Sequence, residues 1–339
     1  MIANSTQKLG VAVIGLGIGE QHARTYLKLQ NCQLQWLYDL DAAKTQAAIA
    51  TLGQGKAADS LDSILSNPDV NIVSLASYDD AHFQQTITTL QSGKHVFVEK
   101  PLCRSIEELR QIKQTWLQQK HLKLESNLVL RAAPLYKWLR NQIQTGKLGQ
   151  IYAIDGDYLY GRLHKITEGW RKNVENYSVL QGGGVHLVDL MLWLTGEKPI
   201  TVSTTGNRIC TTNTDFRYND YACATFQFGS GLIGRITANF GCVHRHQHVL
   251  RVFGTEGTFI YDDAGPRLHV TRDPAVLAAP LNLAPLPSSK GDLIPPFIQS
   301  ILNNQDTHNT IQHNFDLISV CAAAEESLLH RSPIIIKYV

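Results

Sequence analysis

The sequence predicts two consecutive domains, a doubly wound α/β domain followed by an α+β domain with a mostly antiparallel, open sheet. From residue 9 to about residue 98, short apolar runs alternate with helix-like segments, which is typical of βαβ units. Beyond about residue 200, strand-like runs follow one another without intervening helices. A length of 339 residues also suits two domains better than one.

The first domain is predicted to span residues 1–127. Its β-branched runs predict strands and its longer amphipathic segments predict helices, with Gly93 as a helix stop. Connections this short and regular imply a parallel sheet. The predicted strands are 11–15, 34–39, 72–75, 95–98 and 123–125, and the predicted helices are 20–29, 41–52, 81–91 and 106–119.

The second domain is predicted to span residues 128–339. Gly229, Ser230 and Gly231 join two strands as a hairpin, and the prolines between 274 and 296 predict a long surface arm. The predicted strands are 151–160, 200–208, 221–228, 232–240, 249–253 and 258–261, and the predicted helices are 135–144, 185–194, 297–303 and 311–329.

Composition excludes several classes of partner. The 31 basic and 29 acidic residues are mixed along the chain, so neither nucleic acid nor a membrane surface is expected, and a small molecule is. The six cysteines form no C-x-x-C pair and are expected to be reduced and buried. Without an apolar stretch in the first ten residues or a membrane span, we expect a cytoplasmic protein.

A glycine-rich loop follows the first strand, where a dinucleotide's pyrophosphate would bind. Gly15, Leu16, Gly17, Ile18 and Gly19 form it, although Glu20 occupies the third position of the usual G-x-G-x-x-G spacing. Asp39 ends the second strand, where its carboxylate can bind the adenosine ribose and repel a 2′-phosphate. The loop predicts a Rossmann-type site for NAD rather than NADP, and the alternative is a tight turn with a solvated Asp.

Lys100 lies at the carboxyl end of the strand 95–98, where open α/β sheets bind their ligands. Pro101 biases Lys100 to an extended conformation. A partly desolvated ammonium there can donate to a reacting hydroxyl and ease the loss of its proton. The alternative is a solvated lysine at the end of a strand.

With these residues in place, the chain resembles the Gfo/Idh/MocA family of sugar and inositol dehydrogenases over nearly its whole length. The resemblance implies an NAD-dependent oxidoreductase that oxidises a secondary hydroxyl of a sugar, with Ser77, His82, Glu99 and Asn127 at the cofactor and Arg131 at the substrate. The matching positions are the glycine loop with His22, Ser77 with His82, Glu99-Lys100-Pro101, Asn127, Arg131 with Pro134, and residues 183–189.

His186 follows three glycines and begins an apolar helix. Its imidazole can accept a proton near pH 7, and the resemblance implies the catalytic acid/base. Many family members carry an Asp four residues earlier, where this chain has Gly182. Asp189, on the same helical face, or Tyr177 can take that place, and Asp189 can equally hold a sugar hydroxyl.

The segment 157–177 mixes basic and aromatic side chains, which suit a phosphorylated sugar. An ordinary loop or a subunit contact is the alternative. The resemblance extends to nucleotide-sugar dehydrogenases, including those oxidising UDP-N-acetylglucosamine at C3, while free sugars and inositol stay open. The candidate substrate-binding residues are Lys100, Arg131, Arg162, His164, Trp170, Arg171, Tyr177, His186 and Asp189.

Three further expectations complete the prediction. His244, His246 and His248 lack a carboxylate or cysteine to complete a ligand set, so no metal site is predicted and a polar or interface face is expected. The resemblance implies a homodimer or homotetramer through the second domain's sheet. It also leaves open a non-catalytic NAD-binding sensor or co-regulator, and an enzyme that returns the hydride to its own substrate.

Overall fold

A computed structural model, which describes residues 8–339, divides the chain into two compact units. Residues up to Val129 form the first unit with Ser288–Phe315 and Val339, and Leu130–Pro287 forms the second with Asp316–Tyr338. The sequence predicted a boundary at 127 and two uninterrupted domains. The structure differs because the chain returns to the first unit after Pro287. The predicted absence of a targeting signal falls partly on residues 1–7, outside the described range.

The first unit contains a six-stranded parallel sheet in the order β3-β2-β1-β4-β5-β6. Its order reverses between β1 and β4, which is the arrangement of a doubly wound sheet and confirms the predicted fold. Strand β3 has only two residues and was not predicted. The strands are β1 Leu9–Ile14, β2 Cys32–Tyr38, β3 Lys56–Ala57, β4 Val70–Leu75, β5 His95–Val98 and β6 Leu124–Ser126.

Five helices connect these strands, and local side chains define their ends. The Asp41 carboxylate accepts the Ala43 amide at the start of α2, and the Ser105 hydroxyl accepts the Glu108 amide at the start of α5. Gly93 follows α4 with φ +73°, as predicted for a helix stop. The helices are α1 Gly19–Leu27, α2 Ala42–Leu52, α3 Leu61–Leu65, α4 His82–Gln91 and α5 Ile106–Gln118.

The second unit contains a nine-stranded sheet in the order β14-β13-β12-β11-β7-β10-β9-β8-β15. Its described pairs are antiparallel except β7 with β10, so the predicted mostly antiparallel sheet is confirmed. Gly231, with φ +91°, closes the predicted hairpin between β9 and β10. The strands are β7 Ile151–Leu159, β8 Pro199–Asn207, β9 Tyr221–Phe228, β10 Ile233–Asn239, β11 Gln247–Gly254, β12 Thr258–Asp262, β13 Gly265–His269, β14 Ala279–Pro280 and β15 Ile334–Ile335.

Helices cover one face of this sheet. The apolar α8 is almost entirely buried and ends at Gly196, as predicted. A π-helical turn, Leu180–Gly184, leads directly into α8 and was not predicted. Short 3-10 turns lie at Val129–Ala132 and Trp170–Asn173. The α-helices are α6 Pro134–Gln144, α7 His164–Thr167 and α8 Val185–Thr195.

The last two helices are α9, Ile294–Leu302, and α10, His308–His330. Phe297 of α9 packs against Phe97 of β5, with ring centroids 5.4 Å apart, so the returning segment completes the core of the first unit. Within residues 8–339, every helix is too short or too polar to cross a membrane. All six cysteines are free thiols, as expected, but the expected burial holds only for Cys32, Cys103 and Cys321, since Cys223 and Cys242 are half-buried and Cys210 is exposed.

Candidate active site

The glycine loop of the first unit joins β1 to α1, and its glycines are needed for different reasons. Gly15 has φ +81°, and a Cβ there would lie 2.5 Å from the backbone oxygen of Ala76. A Cβ on Gly17 would meet no atom within 4 Å. A Cβ on Gly19 would lie 2.9 Å from Val13 Cγ1, so this glycine provides the close helix–strand packing that the usual spacing assigns to residue 20.

Asp39 ties the end of β2 to this loop. Its Oδ2 accepts the Leu16 amide at 2.7 Å and its Oδ1 accepts the Asp41 amide at 3.0 Å. A carboxylate offers about four lone-pair positions, so these bonds orient the group and leave acceptor capacity for ribose hydroxyls. Leu16 is buried and Ile18 is exposed.

Ser77 and His82 lie beside the loop and brace the backbone. The Ser77 hydroxyl donates to Gln85 Oε1 at 2.6 Å. The buried His82 ring places Nδ1 2.7 Å from the Pro101 carbonyl and Nε2 3.2 Å from the Ser77 carbonyl. The structure therefore places His82 as a brace for the turn after β5, while its predicted contact with a cofactor stays a prediction.

Glu99 is the centre of a buried polar network at the end of β5. Asn127 Nδ2 donates to Glu99 Oε1 at 2.6 Å and to the Lys290 carbonyl at 2.7 Å. His22 Nε2 lies 3.3 Å from the same carboxylate oxygen. Burial alone would raise the pKa of Glu99, but hydrogen bonds and charge from His22, with Lys100 and Asn127, lower it to about 2. Glu99 is therefore an anion fixed directly before Lys100.

Lys100 follows β5 at the carboxyl edge of the parallel sheet, as predicted. It is half-buried, and its amide donates to Glu99 Oε2 at 3.3 Å. The peptide bond between Lys100 and Pro101 is cis. The network around Glu99 fixes the backbone before Lys100, and the His82 ring contacts the Pro101 carbonyl after it.

The three glycines before His186 make room for side chains. A Cβ on Gly182 would lie 2.1 Å from the hydroxyl of Tyr177, and a Cβ on Gly183 would lie 2.3 Å from Cε1 of Tyr158. The aromatic rings therefore pack directly onto the π-helical turn. No local sequence pattern predicts this use of the glycines.

His186 is buried at the start of α8, inside an aromatic cluster. The Tyr158 ring stacks on it at 6.3 Å between centroids, and the His248 ring meets it edge-on at 5.6 Å. His246 lies 4.9 Å from His248. The sequence predicted a polar or interface face for these two histidines, so their place beside His186 was missed, although their alternation along one strand was visible.

Histidine clustering does not amount to a metal centre. Among the described residues, no group of three or more His, Cys, Asp and Glu side chains is arranged to hold a metal ion. His244 lies apart, with Nε2 2.9 Å from Asp263 Oδ2, and this carboxylate raises the pKa of His244.

Asp189 is paired with Arg131, another candidate substrate residue. Arg131 Nε donates to both carboxylate oxygens, at 3.1 and 3.0 Å, and Nη2 donates to Oδ1. Asp189 is buried, and this geometry makes it part of a fixed ion pair. Asp189 is one of the two residues predicted to substitute for an Asp at position 182. The ion pair with Arg131 engages both of its carboxylate oxygens.

The basic segment before the π-helical turn separates into two sets. Arg162 and His164 are exposed. Arg171 donates from Nε to the Tyr177 hydroxyl at 2.9 Å and lies over the Trp170 ring at 4.5 Å. The structure therefore brings Trp170, Arg171 and Tyr177 together, while Arg162 packs over the Tyr160 ring, which Arg171 also approaches.

Two family models match the chain, one for each predicted domain. The first, GFO_IDH_MocA, described as "Oxidoreductase family, NAD-binding Rossmann fold", matches residues 9–126. The second is described as "GFO/IDH/MocA C-terminal domain" and matches residues 136–260. Together they cover most of both units.

Individual curated relatives share less than a third of their residues with this chain over the matched regions. An uncharacterized oxidoreductase of Synechocystis sp. is 28% identical over 195 residues, covering 56% of this chain and 52% of the relative. The chain likewise matches only about half the length of the next curated relatives.

Solved structures match over nearly the whole chain. Levoglucosan dehydrogenase in complex with NADH and levoglucosan has a TM-score of 0.86 at 19% identity, covering 98% of this chain and 100% of that one. Myo-inositol 2-dehydrogenase from Lactobacillus plantarum has a TM-score of 0.82 at 18% identity, covering 97% and 100%. At these identities the likeness shows a shared fold.

Proposed function

The chain belongs to the Gfo/Idh/MocA family of oxidoreductases, and we propose that it is an NAD-dependent dehydrogenase that oxidises a secondary hydroxyl of a free sugar or polyol. The observation that carries the proposal is the pairing of Asp39 with the glycine loop. His186, buried among aromatic rings, is the residue we propose for the proton transfer.

The residues of the first unit fit a dinucleotide. Open space beside Gly17 and the start of α1 suit a pyrophosphate, while the oriented carboxylate of Asp39 suits ribose hydroxyls and disfavours a 2′-phosphate. We assign Gly15–Gly19 and Asp39 to direct binding. Ser77, His82, Glu99 and Asn127 would hold the surrounding backbone. When bound there, NAD would supply the acceptor for the hydride that the carbinol carbon loses.

His186 is proposed as the acid/base. During oxidation, the hydroxyl proton passes to its imidazole while the carbinol C–H bond breaks, so the alcohol becomes a ketone. Lys100 is proposed to assist by stabilising negative charge on the substrate oxygen as the proton leaves. Glu99, whose pKa is lowered to about 2, lies directly before it as an anion.

Relatives favour an unphosphorylated substrate. The names of the compared relatives include levoglucosan and inositol dehydrogenases, and none of those reported above is a nucleotide-sugar enzyme. Arg171 is committed to Tyr177 and Trp170, and Arg131 to Asp189, so two of the predicted phosphate-binding or substrate-binding cations already have protein partners. Nucleotide sugars such as UDP-N-acetylglucosamine stay a prediction without support from these relatives.

Turnover on a panel tests the proposal directly. Purified protein is incubated with NAD or NADP and with free sugars, inositols or UDP-sugars, and NADH release is followed. We expect NAD-dependent turnover on free polyols. Turnover confined to UDP-sugars would overturn the substrate assignment, an NADP preference would overturn the cofactor assignment, and NAD binding without turnover would favour a sensor. Product formation without released NADH would indicate internal hydride return.

Removal of the two proposed groups tests the mechanism. Lys100→Ala and His186→Ala should each lower kcat/KM at least about 100-fold, because each removes a group that handles or stabilises a proton in the transition state. NAD affinity measured by calorimetry should remain for His186→Ala. Exposed residues of the same types, changed as Lys120→Ala and His330→Ala, serve as controls. Near-normal turnover in both active-site variants would contradict the mechanism.

We also infer a homodimer or homotetramer through the open face of the second sheet. That face carries a ladder of charges in which Asp157 accepts from Arg235 and Arg251, each at 3.0 Å. Hydrogen bonds from these arginines overcome burial and lower the pKa of Asp157. Light scattering after size exclusion measures the state, and a monomer at micromolar concentration would contradict the inference.

A further inference from the structure

The hydroxyl of Tyr177 occupies the volume where a side chain at position 182 would begin. An ideal Cβ on Gly182 would lie 2.1 Å from Tyr177 Oη and 2.8 Å from Cζ. Position 182 precedes His186 by four residues, about one helical turn, so groups at this position lie on the helical face that carries the imidazole. The phenol of Tyr177, five residues earlier in the chain, thus supplies a polar group at the place that Gly182 leaves open.

Tyr177 is held firmly in that place. Arg171 Nε donates to its hydroxyl at 2.9 Å. Its buried ring meets the edges of Phe216 and Phe240 at 6.1 and 6.3 Å between centroids. Phe240 also packs on Tyr158, the ring that stacks on His186. The phenol therefore belongs to the same packed cluster as the imidazole.

The backbone beside Tyr177 is anchored independently. The Ser178 hydroxyl accepts the Gln181 amide at 3.0 Å and hydrogen-bonds to the buried Glu325 carboxyl. The Ser178 carbonyl accepts the Gly182 amide at 2.9 Å. Because these bonds start the π-helical turn, they fix the distance between the Tyr177 backbone and Gly182 without using the Tyr177 hydroxyl.

We propose that Tyr177, oriented by Arg171, is a positioning residue for His186, in the role of a side chain that position 182 lacks. This inference rests on the proposed function. A phenol oxygen has two lone pairs and one proton, so it can accept from Arg171 and still share a hydrogen bond with a neighbouring group. Unlike a carboxylate, it orients an imidazole without adding a full negative charge to a buried cluster.

Tyr177→Phe tests this role because it removes only the hydroxyl. We expect kcat to fall about tenfold or more while KM changes less than about threefold, as a positioning group acts on the reacting state more than on substrate binding. NAD affinity and the melting temperature should stay close to wild type. Tyr136→Phe, which removes a buried hydroxyl elsewhere in the second unit, is the matched control and should leave kcat unchanged.

A volume swap tests the geometry without relying on activity. Gly182→Asp alone should lower the melting temperature, because the new side chain collides with Tyr177. Compared with Gly182→Asp alone, the double variant Tyr177→Ala with Gly182→Asp should have a higher melting temperature and should recover part of the lost kcat. In the double variant the new carboxylate occupies the space of the removed phenol. Equal melting temperatures for the single and double variants would refute the shared volume.

Failure of this inference can be told apart from failure of the proposed function. Wild-type protein with no NAD-dependent turnover on any sugar or polyol would overturn both. Active wild type with an unchanged kcat in Tyr177→Phe would overturn the role of Tyr177 alone. A fall in kcat matched by an equal fall in the Tyr136→Phe control would overturn it as well.

Discussion

Both units place three glycines next to the residues proposed to act, and the two sets make room for different things. In the loop 15–19, a side chain would strike the backbone at Ala76 from Gly15, fill open space from Gly17 and strike Val13 of the adjacent strand from Gly19. In the run 182–184, it would strike the side chains of Tyr177 and Tyr158. The first set is thus required by the path of the backbone, by the packing of α1 on β1 and by space for a ligand. The second set is required mainly by the aromatic side chains that pack against Gly182 and Gly183.

The largest effect should come from the backbone-determined set. Gly15→Ala combines a positive φ, costing about 1–2 kcal/mol for Ala, with a collision that backbone atoms cannot avoid, so we expect a loss of at least about 3 kcal/mol in the free energy of unfolding. Gly53→Ala is the control, because Gly53 has φ +68° with no atom near its Cβ position. Urea denaturation measures both.

A similar loss in the two variants would break the comparison. It would mean that the collision with Ala76 is relieved without a cost in free energy, and that the positive φ alone requires glycine at position 15.

The next contrast concerns two buried carboxylates whose pKa values move in opposite directions. Burial raises the pKa of Glu325 to about 7, against the weaker effect of its Ser178 hydrogen bond. Its protonated form is favoured in the folded state, so the stability it contributes is complete below its usual pKa of 4.5 and is lost as pH rises through 7. Glu325→Gln should therefore be more stable than wild type at pH 8, by up to about 3 kcal/mol.

Glu99 provides the opposite case in the first unit. Its pKa of about 2 means that its contribution is present above 4.5 and is lost as pH falls toward 2. Glu99→Gln should lower the free energy of unfolding by up to about 3 kcal/mol at neutral pH and by much less in acid. Denaturation curves across this pH range measure both variants. If Glu325→Gln and Glu99→Gln changed the free energy of unfolding in the same direction at pH 8, the assigned pKa shifts would be contradicted.

The smallest effect on folding should come from Gly17. Gly17→Ala meets no neighbour, so we expect the free energy of unfolding to change by less than about 0.5 kcal/mol while NAD affinity falls about tenfold. Gly183→Ala, which displaces the Tyr158 ring, should lower turnover and spare NAD affinity. Calorimetric titration with NAD separates the two outcomes. Unchanged affinity in Gly17→Ala would show that the cofactor does not use this space.

Local patterns were sufficient wherever an element depends on its own residues. The predicted strand 221–228 coincides with β9, and Gly196 ends α8 as expected. Asp39 could be placed at the loop because strand ends in a doubly wound sheet meet at one edge. Two-residue strands such as β3 carry too short a pattern to be recognised.

Contacts between distant segments could not be predicted in the same way. His248 reaches His186 through the pairing of β11 with β7, which no periodicity reports. The Arg131 pairing with Asp189 joins residues 58 positions apart. In the sequence, Gly182 shows only that a side chain is missing. The Tyr177 hydroxyl occupies that space because of the π-helical turn, which local sequence patterns do not predict.

The return of Ser288–Phe315 to the first unit has a consequence for synthesis on the ribosome. Phe297 and the Lys290 carbonyl that Asn127 binds belong to that segment, so the early sheet emerges without part of its core and without one acceptor of its polar network. Domains usually fold in the order in which they are made. Here the first unit to emerge must wait, its apolar face incomplete, until strands β7 to β14 of the second sheet have been translated.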